Sequence, residues 1–397
     1  MEYLNITIHI YTIFQICSFI LNIKQPEAEN NIYKGTNHFT FLRNKKQCNN
    51  LSVLYFVPIY KISRENKKEG FCLEQKPLKV GNVLLKNNIL MAPLAGYTCY
   101  PFRMLVREMG AALCYTEMVS CNGLKYKDHA TRALLFTTKE ETPKAAQILG
   151  SDPRIMSEMC RTGILEEYDI SDINMGCPVP NVIKSGEGCA LMGDLKRASR
   201  IIHACADGNK PVTVKFRTGL HENNMVTAEF ARMCEDSGAA MITIHGRSRN
   251  MMYDGEPYYE QIQQAKAAVR IPVIANGGIR SAKDAERMMQ ETGADGIMIA
   301  RYALENPYIF SELTHTPVVK SRLTLLQEQM KLCKNFYDES FTLAYMKRIT
   351  SYFMKKRAGT KQYKMELFRC GNCEEISSLL EKIFEEDREK EKRVALD

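Results

Sequence analysis

The sequence predicts an α/β fold, a (β/α)8 barrel followed by a small C-terminal helical domain. Two patterns carry this reading. Between residues 78 and 310, eight short apolar runs alternate with amphipathic stretches, and beyond residue 316 only helical periodicity continues. Size agrees. The chain has 397 residues, 45% apolar and 25% charged, ordinary values for a soluble globular protein with a sizeable core.

Taken in order, residues 1–76 are rich in Asn, Ile, Tyr and Lys and lack caps or periodicity, so a poorly structured extension is expected. Residues 6–23 are fairly apolar. They lack a basic stretch before them and are interrupted by Asn, Gln and Thr, which argues against a signal peptide and leaves a membrane anchor as the alternative. The barrel is expected over 77–315. Its runs are 88–95, 113–119, Ala145–Leu149, Ile170–Met175, 212–216, Met241–His245, 273–275 and 296–300, with helical patterns at 101–108, 153–163, 228–237 and Ala282–Thr292. Eight such units are the count of a closed barrel. A doubly wound open sheet is the alternative, weakened because no GxGxxG follows the first run. The helical domain is expected over 316–397, with helices at 321–337, 343–356 and 376–384.

The 14 cysteines follow no regular framework, which suits a reducing cytosol where a free thiol behaves as a small hydrophobe. Cys370-Gly-Asn-Cys373 is the one CxxC. It is half a zinc site without a second half, so no metal is expected. The net charge is +8. Residues 342–369 alone hold eight basic residues (Lys347, Arg348, Lys355, Lys356, Arg357, Lys361, Lys364 and Arg369) against Glu366, a net +7, with Tyr345, Tyr352 and Tyr363 interleaved. A solvated helix face is the plain explanation, and a surface for a polyanion is the functional one.

Barrel chemistry collects where strands end. The first run ends in Pro93-Leu94-Ala95, small enough for a flat ligand to approach the backbone. The others bring Glu117, Gln147, Asn174 with Cys177, Lys215 with Arg217, His245 with Arg247, Asn276-Gly277-Gly278, and Ala300-Arg301. Each has a structural explanation singly; the joint pattern points to a site. Gly277, Gly278 and the 300–301 pair offer backbone N–H groups and a guanidinium to a phosphate, and Lys215 offers a cation to an electron-rich ring. A phosphate at one end and a cation under a ring describe a flavin mononucleotide (FMN) site.

Eight segments resemble the tRNA-dihydrouridine synthase family, of the bacterial B-like type: MAPLAGYTCYPFR, TEMVS, QILGSDP, DINMGCPVPNVIKSGEG, VTVKFRTG, TIHGRSR, PVIANGGI and ADGIMIAR. They stand in the family's order from about residue 78 onward. The resemblance implies reduction of specific uridines in tRNA to 5,6-dihydrouridine. Hydride would pass from FMN N5 to C6, a proton from Cys177 to C5, and NADPH would re-reduce the flavin. FMN would contact Pro93, Leu94, Ala95, Gln147, Lys215, His245, Asn276, Gly277, Gly278, Ala300 and Arg301. Asn174, Glu117, Arg217 and Arg247 would face the substrate. The basic helical domain would grip tRNA phosphates. A cytoplasmic monomer without stable membrane association is expected.

Three departures stand out. Position 300 is Ala where the family usually has Gly, Tyr352-Phe353 replaces a common Trp-Tyr, and residues 1–76 have no counterpart in the family core. Two other readings remain: a flavin barrel reducing a free pyrimidine or small enone, and an RNA binder without flavin. The intact Lys215, Cys177 and Asn276-Gly277-Gly278 argue against the second.

Overall fold

Apolar β-branched runs flanked by glycine and proline become eight parallel strands. The computed structural model describes residues 75–357 and 359–394, with side chains to residue 385, and two short strands, Ile32–Lys34 and Thr40–Leu42. Those two strands pair antiparallel within a separate unit, Met1–Gly70. Otherwise the expectations for residues 1–74 lie outside the described residues.

The strands of the second unit are β1 (Ile89–Met91), β2 (Val119–Ser120), β3 (Ala145–Leu149), β4 (Ile170–Met175), β5 (Val212–Arg217), β6 (Met241–His245), β7 (Val273–Asn276) and β8 (Gly296–Ile299). They form one sheet in the order β1-β8-β7-β6-β5-β4-β3-β2. The ring closes between β1 and the residues leading into β2, through a parallel bridge from Leu90 to Leu113 and the bonds Met91 N–H to Leu113 O (3.0 Å) and Ala112 N–H to Ile89 O (2.9 Å). A closed barrel, not an open doubly wound sheet, is the architecture.

The second expected run, 113–119, is broken. Bridges at Leu113 and Tyr115 precede the two-residue β2, and the Thr116 hydroxyl accepts the Gln147 N–H at 3.0 Å. A side chain there replaces a ladder carbonyl, so the backbone bends away and Glu117 is freed from the sheet.

Connecting helices cover the outside: α1 (Tyr100–Glu108), α2 (Pro153–Arg161), α3 (Leu195–Ala206), α4 (Thr227–Asp236), α5 (Tyr259–Ala268) and α6 (Ala282–Thr292). Alternation with period two divides each strand. Ile173, Val214, Phe216, Ile242 and Ile244 are buried against the helices. Tyr115, Ala145, Ile170, Met241, Ile274 and Met298 fill the lower interior. A hairpin of Leu78–Val80 and Val83–Leu85 closes the bottom by burying Leu78, Val80 and Leu85 among them. With the lower barrel plugged by apolar side chains, ligands have access at the strands' C-terminal mouth.

Beyond the barrel lie α7 (Arg322–Phe336), α8 (Glu339–Phe353), α9 (Thr360–Arg369) and α10 (Cys373–Val394). Ser321 and Asp338 cap α7 and α8, accepting from Thr324 N–H (3.1 Å) and Phe341 N–H (2.8 Å). The sequence pattern gave no sign of α9. It buries only Leu367 and starts at Gly359, whose φ of +70° ends the preceding turn, so little apolar periodicity marks it. The helices pack on the barrel through α1: Gln329 donates to Pro101 O at 2.8 Å, and Tyr100, Phe136 and Phe336 meet ring to ring. Among the described residues no helix is long and apolar enough to cross a membrane.

Candidate active site

Cys177 sits one turn beyond β4. Asn174 Oδ1 accepts both Gly176 N–H (3.1 Å) and Cys177 N–H (2.9 Å), while Cys177 O accepts Cys189 N–H (3.1 Å). Gly188, at φ +58°, lies so close that a Cβ there would come within 2.8 Å of Cys177 O. The backbone of the cysteine is therefore fixed on both sides, and its side chain stays half-buried at the mouth. Burial raises the thiol pKa above its ordinary value, opposed by a hydrogen bond from Val179 N–H and by Arg217. A thiol in that setting is protonated at neutral pH and can serve as an acid.

Beneath it runs a buried polar chain. Gln147 Oε1 accepts from Asn174 Nδ2 (2.8 Å), Gln147 Nε2 donates to Asp172 Oδ2 (2.7 Å), and Thr213 Oγ1 donates to Asp172 Oδ1 (2.5 Å). Gln147, Asp172 and Thr213 are each at most 1% exposed. Burial raises the Asp172 pKa to about 6, against the pull of Thr213, Gln147 and Lys215. Asp172 and Thr213 escaped the sequence reading because each lies two residues before an expected site residue, in a position that reads as strand interior.

Beside it, from β5 onward, runs an arc of cations on β5, β6 and β8, with Lys215 in register with Asn174. Lys215 Nζ donates to Asn276 Oδ1 at 3.0 Å, and Asn276 Nδ2 to Met298 O at 2.7 Å. Burial and the neighbouring Arg217 push the Lys215 pKa down to about 8. His245 is driven well below its ordinary value by burial and by Lys215, Arg217, Arg247 and Arg301, so its ring is neutral. Arg301 lies 4.4 Å from the Tyr253 ring centre and Arg217 5.4 Å from it. Among the described residues, no ion pair neutralises Lys215, Arg217, Arg247 or Arg301. Arg217 and Arg247 are buried and Lys215 half-buried without an ion pair among the described residues, which makes this corner favourable to an anion.

Two of those cations also build the loop after β6. Arg217 donates to Gly176 O (2.9 Å), Ser248 O (3.1 Å) and Met252 O (2.7 Å), and Arg247 to Asp254 O (3.0 Å) and Gly255 O (2.6 Å). Gly277 and Gly278 follow β7 at φ +129° and +72°. A Cβ on Gly277 would approach Arg247 Nη1 and His245 Cδ2 to 3.2 Å, so glycine keeps the backbone open beside the cations. Ala300 is half-buried and Arg301 exposed, at the start of the short helix Tyr302–Glu305. This corner offers cations and open backbone to an anion, and Pro93-Leu94-Ala95 follow β1 at the same end of the barrel.

Glu117 lies on the same rim. Its Oε2 accepts Gly96 N–H at 2.5 Å, and burial raises its pKa. Gly96 O in turn accepts from Arg348 Nε at 3.2 Å.

A family model described as dihydrouridine synthase matches residues 90–388. The chain belongs to the dihydrouridine synthase family. A tRNA-dihydrouridine synthase B of Vibrio cholerae is 41% identical over 239 residues, 60% of this chain and 74% of that protein. The Pseudomonas aeruginosa protein of the same name is 31% identical over 320 residues, 78% of this chain and 96% of its own. The Salmonella typhimurium one is 34% identical over 319 residues, 78% of this chain and 99% of its own.

In this dihydrouridine synthase family member the basic C-terminal segment is less free than its composition suggests. Tyr345 is fully buried and donates to Gln329 Oε1 at 2.7 Å, so it belongs to the core and not to a binding face. Lys355 pairs with Glu305 at 2.5 Å, and Arg357 donates to Ile383 O at 3.1 Å. Lys356, Lys361 and Arg369 are exposed and Lys364 half-buried, beside the exposed Met365 and Phe368. Cys373 is buried and Cys370 half-buried, and among the described residues no cluster of three His, Cys, Asp or Glu could hold a metal.

Proposed function

We propose that this chain reduces uridines of tRNA to 5,6-dihydrouridine, with FMN as cofactor and NADPH as reductant. Membership of the dihydrouridine synthase family supports the reaction, and the site chemistry supports the division of labour. When bound, FMN supplies the hydride for C6 of the base. Lys215, Asn276, Gly277, Gly278, Ala300 and Arg301 hold its phosphate side and ring edge, with Pro93, Leu94, Ala95, Gln147 and neutral His245 around it. Cys177 gives its proton to C5, and Asn174 steadies the base beside it. Glu117, Arg217 and Arg247 shape the rim that the base passes. A uridine reaches the mouth only when turned out of the RNA stack, and Lys356, Lys361, Lys364 and Arg369 hold its phosphates in this reading, which their charge and full or partial exposure support.

The observation that carries this reading is a backbone-fixed thiol beside cations that carry no ion pair among the described residues, at one barrel mouth. Its test is anaerobic. The purified protein is reduced with NADPH and mixed with unmodified tRNA. Flavin reoxidation together with dihydrouridine in the digested RNA is the expected result. Reoxidation by free uracil, with none by tRNA, overturns it in favour of a small-molecule reductase.

A further inference from the structure

Asn174 and Cys177 are the site's working pair, yet the chain that orients them ends on a residue at the floor. A carboxylate only accepts hydrogen bonds. Asp172 therefore requires that Gln147 turn its Nε2 downward, which the 2.7 Å contact satisfies. Gln147 Oε1 then faces Asn174 Nδ2 at 2.8 Å, and Asn174 Oδ1 is left for the N–H groups of Gly176 and Cys177. At the far end those backbone groups only donate, so they demand the same orientation. Both ends of the chain agree on one direction for two amides that would otherwise be free to flip. Asp172 is itself held by Thr213 from β5, and Gln147 comes from β3, so three strands fix the arrangement.

We propose that Asp172 is a positioning residue that sets the amides of Gln147 and Asn174 and thereby the placement of Cys177 against the base. The proposal rests on the function assigned above. Without the acceptor, Gln147 keeps a buried donor with no partner. It relieves this by turning toward the mouth, breaking its bond to Asn174. Asn174 is then held from one end only. Asparagine at 172 preserves the direction, because its carbonyl can face Gln147 while its amide nitrogen faces the Thr213 oxygen.

The test separates the two half-reactions by stopped flow. Asp172→Leu should retain FMN and be reduced by NADPH at the wild-type rate, while reoxidation by tRNA slows about tenfold. Asp172→Asn should stay within about threefold of wild type, the acceptor being kept. In a Gln147→Leu background, Asp172→Leu should slow reoxidation no further, because the path through the amide is already cut. Wild-type reoxidation by Asp172→Leu, equal slowing in the Asn and Leu variants, or additive losses in the double variant would each overturn the proposal. Asp172→Val, smaller than Leu and likewise without an acceptor, carries the same expectations if the Leu variant does not fold. Failure of the wild-type flavin to reoxidise with tRNA would instead overturn the functional reading on which the proposal rests.

Discussion

Arg348 donates from Nε to the carbonyl of Gly96 at 3.2 Å, across 252 residues of sequence. Gly96 in turn donates to Glu117. One backbone unit on the first loop is thus held from the helical region on one side and the barrel rim on the other. Tyr352 adds an edge-on ring contact to Tyr97 with centres 5.4 Å apart. Arg348→Ala should cost about 1.5–3 kcal/mol of stability, as expected for one charge-assisted bond, and lower tRNA turnover several-fold without loss of FMN. Urea denaturation and a flavin assay on the same preparation check both.

Cys177→Ala removes the proposed acid and leaves the cation arc intact. FMN content should match wild type while dihydrouridine formation falls at least about 100-fold. Because burial raises the thiol pKa, the wild-type thiol holds its proton through neutral pH. Reoxidation by tRNA should then be flat from about pH 6.5 to 7.5.

Lys215 offers a test of sign. Its folded pKa, about 8, lies below the ordinary 10.5. The unfolded chain therefore binds more protons between those values, and stability of the flavin-free protein should rise as pH climbs from 8 to 10.5. The penalty present below pH 8 is up to about 3 kcal/mol. Lys215→Met should be more stable than wild type at pH 7.5, with the difference closing by pH 10.5, and should bind FMN at least about tenfold more weakly. Urea titrations across pH and flavin fluorescence read these out.

Arg103 and Glu141 form a fully enclosed pair at 2.6 Å, each side chain 1% exposed. Arg103 also donates to Thr98 O and Phe136 O. Glu141→Gln removes the counter-charge and should destabilise by roughly 3–5 kcal/mol, enough to lower the melting temperature markedly.

Lys356, Lys361 and Lys364, which carry no ion pair among the described residues, are the better set for probing RNA contact than one containing Lys355 or Arg357, whose heads are already engaged. Replacing all three by Glu should weaken tRNA binding and lower the salt slope of log K by roughly 2–3. Flavin content should not change. Filter binding between 50 and 200 mM salt, as a rough range, measures the slope.

Much of the fold was legible because two periodicities switch along the chain. The eight apolar runs, their order and the positions of Lys215, His245 and Asn276 at strand ends needed only alternation and punctuation by Gly and Pro. Cys177 stood out because Gly176 and Pro178 flank it directly after β4. The helix α9 and the break before β2 were not legible, since one has a single buried apolar residue and the other depends on a side chain, Thr116, standing in for a backbone acceptor.

By itself the sequence determined the barrel, the helical appendage, which polar residues stand at the strand ends and the basic segment, because local pattern and composition suffice for those. Only the tertiary structure decided which charges are free and which polar groups act together. Tyr345 is core, Lys355 is paired, and Asp172 joins Gln147, Asn174 and Thr213 across three strands. Hydrogen bonding and desolvation depend on what lies a few ångströms away in space, and for these residues that neighbour is 16 to 50 positions distant in the chain.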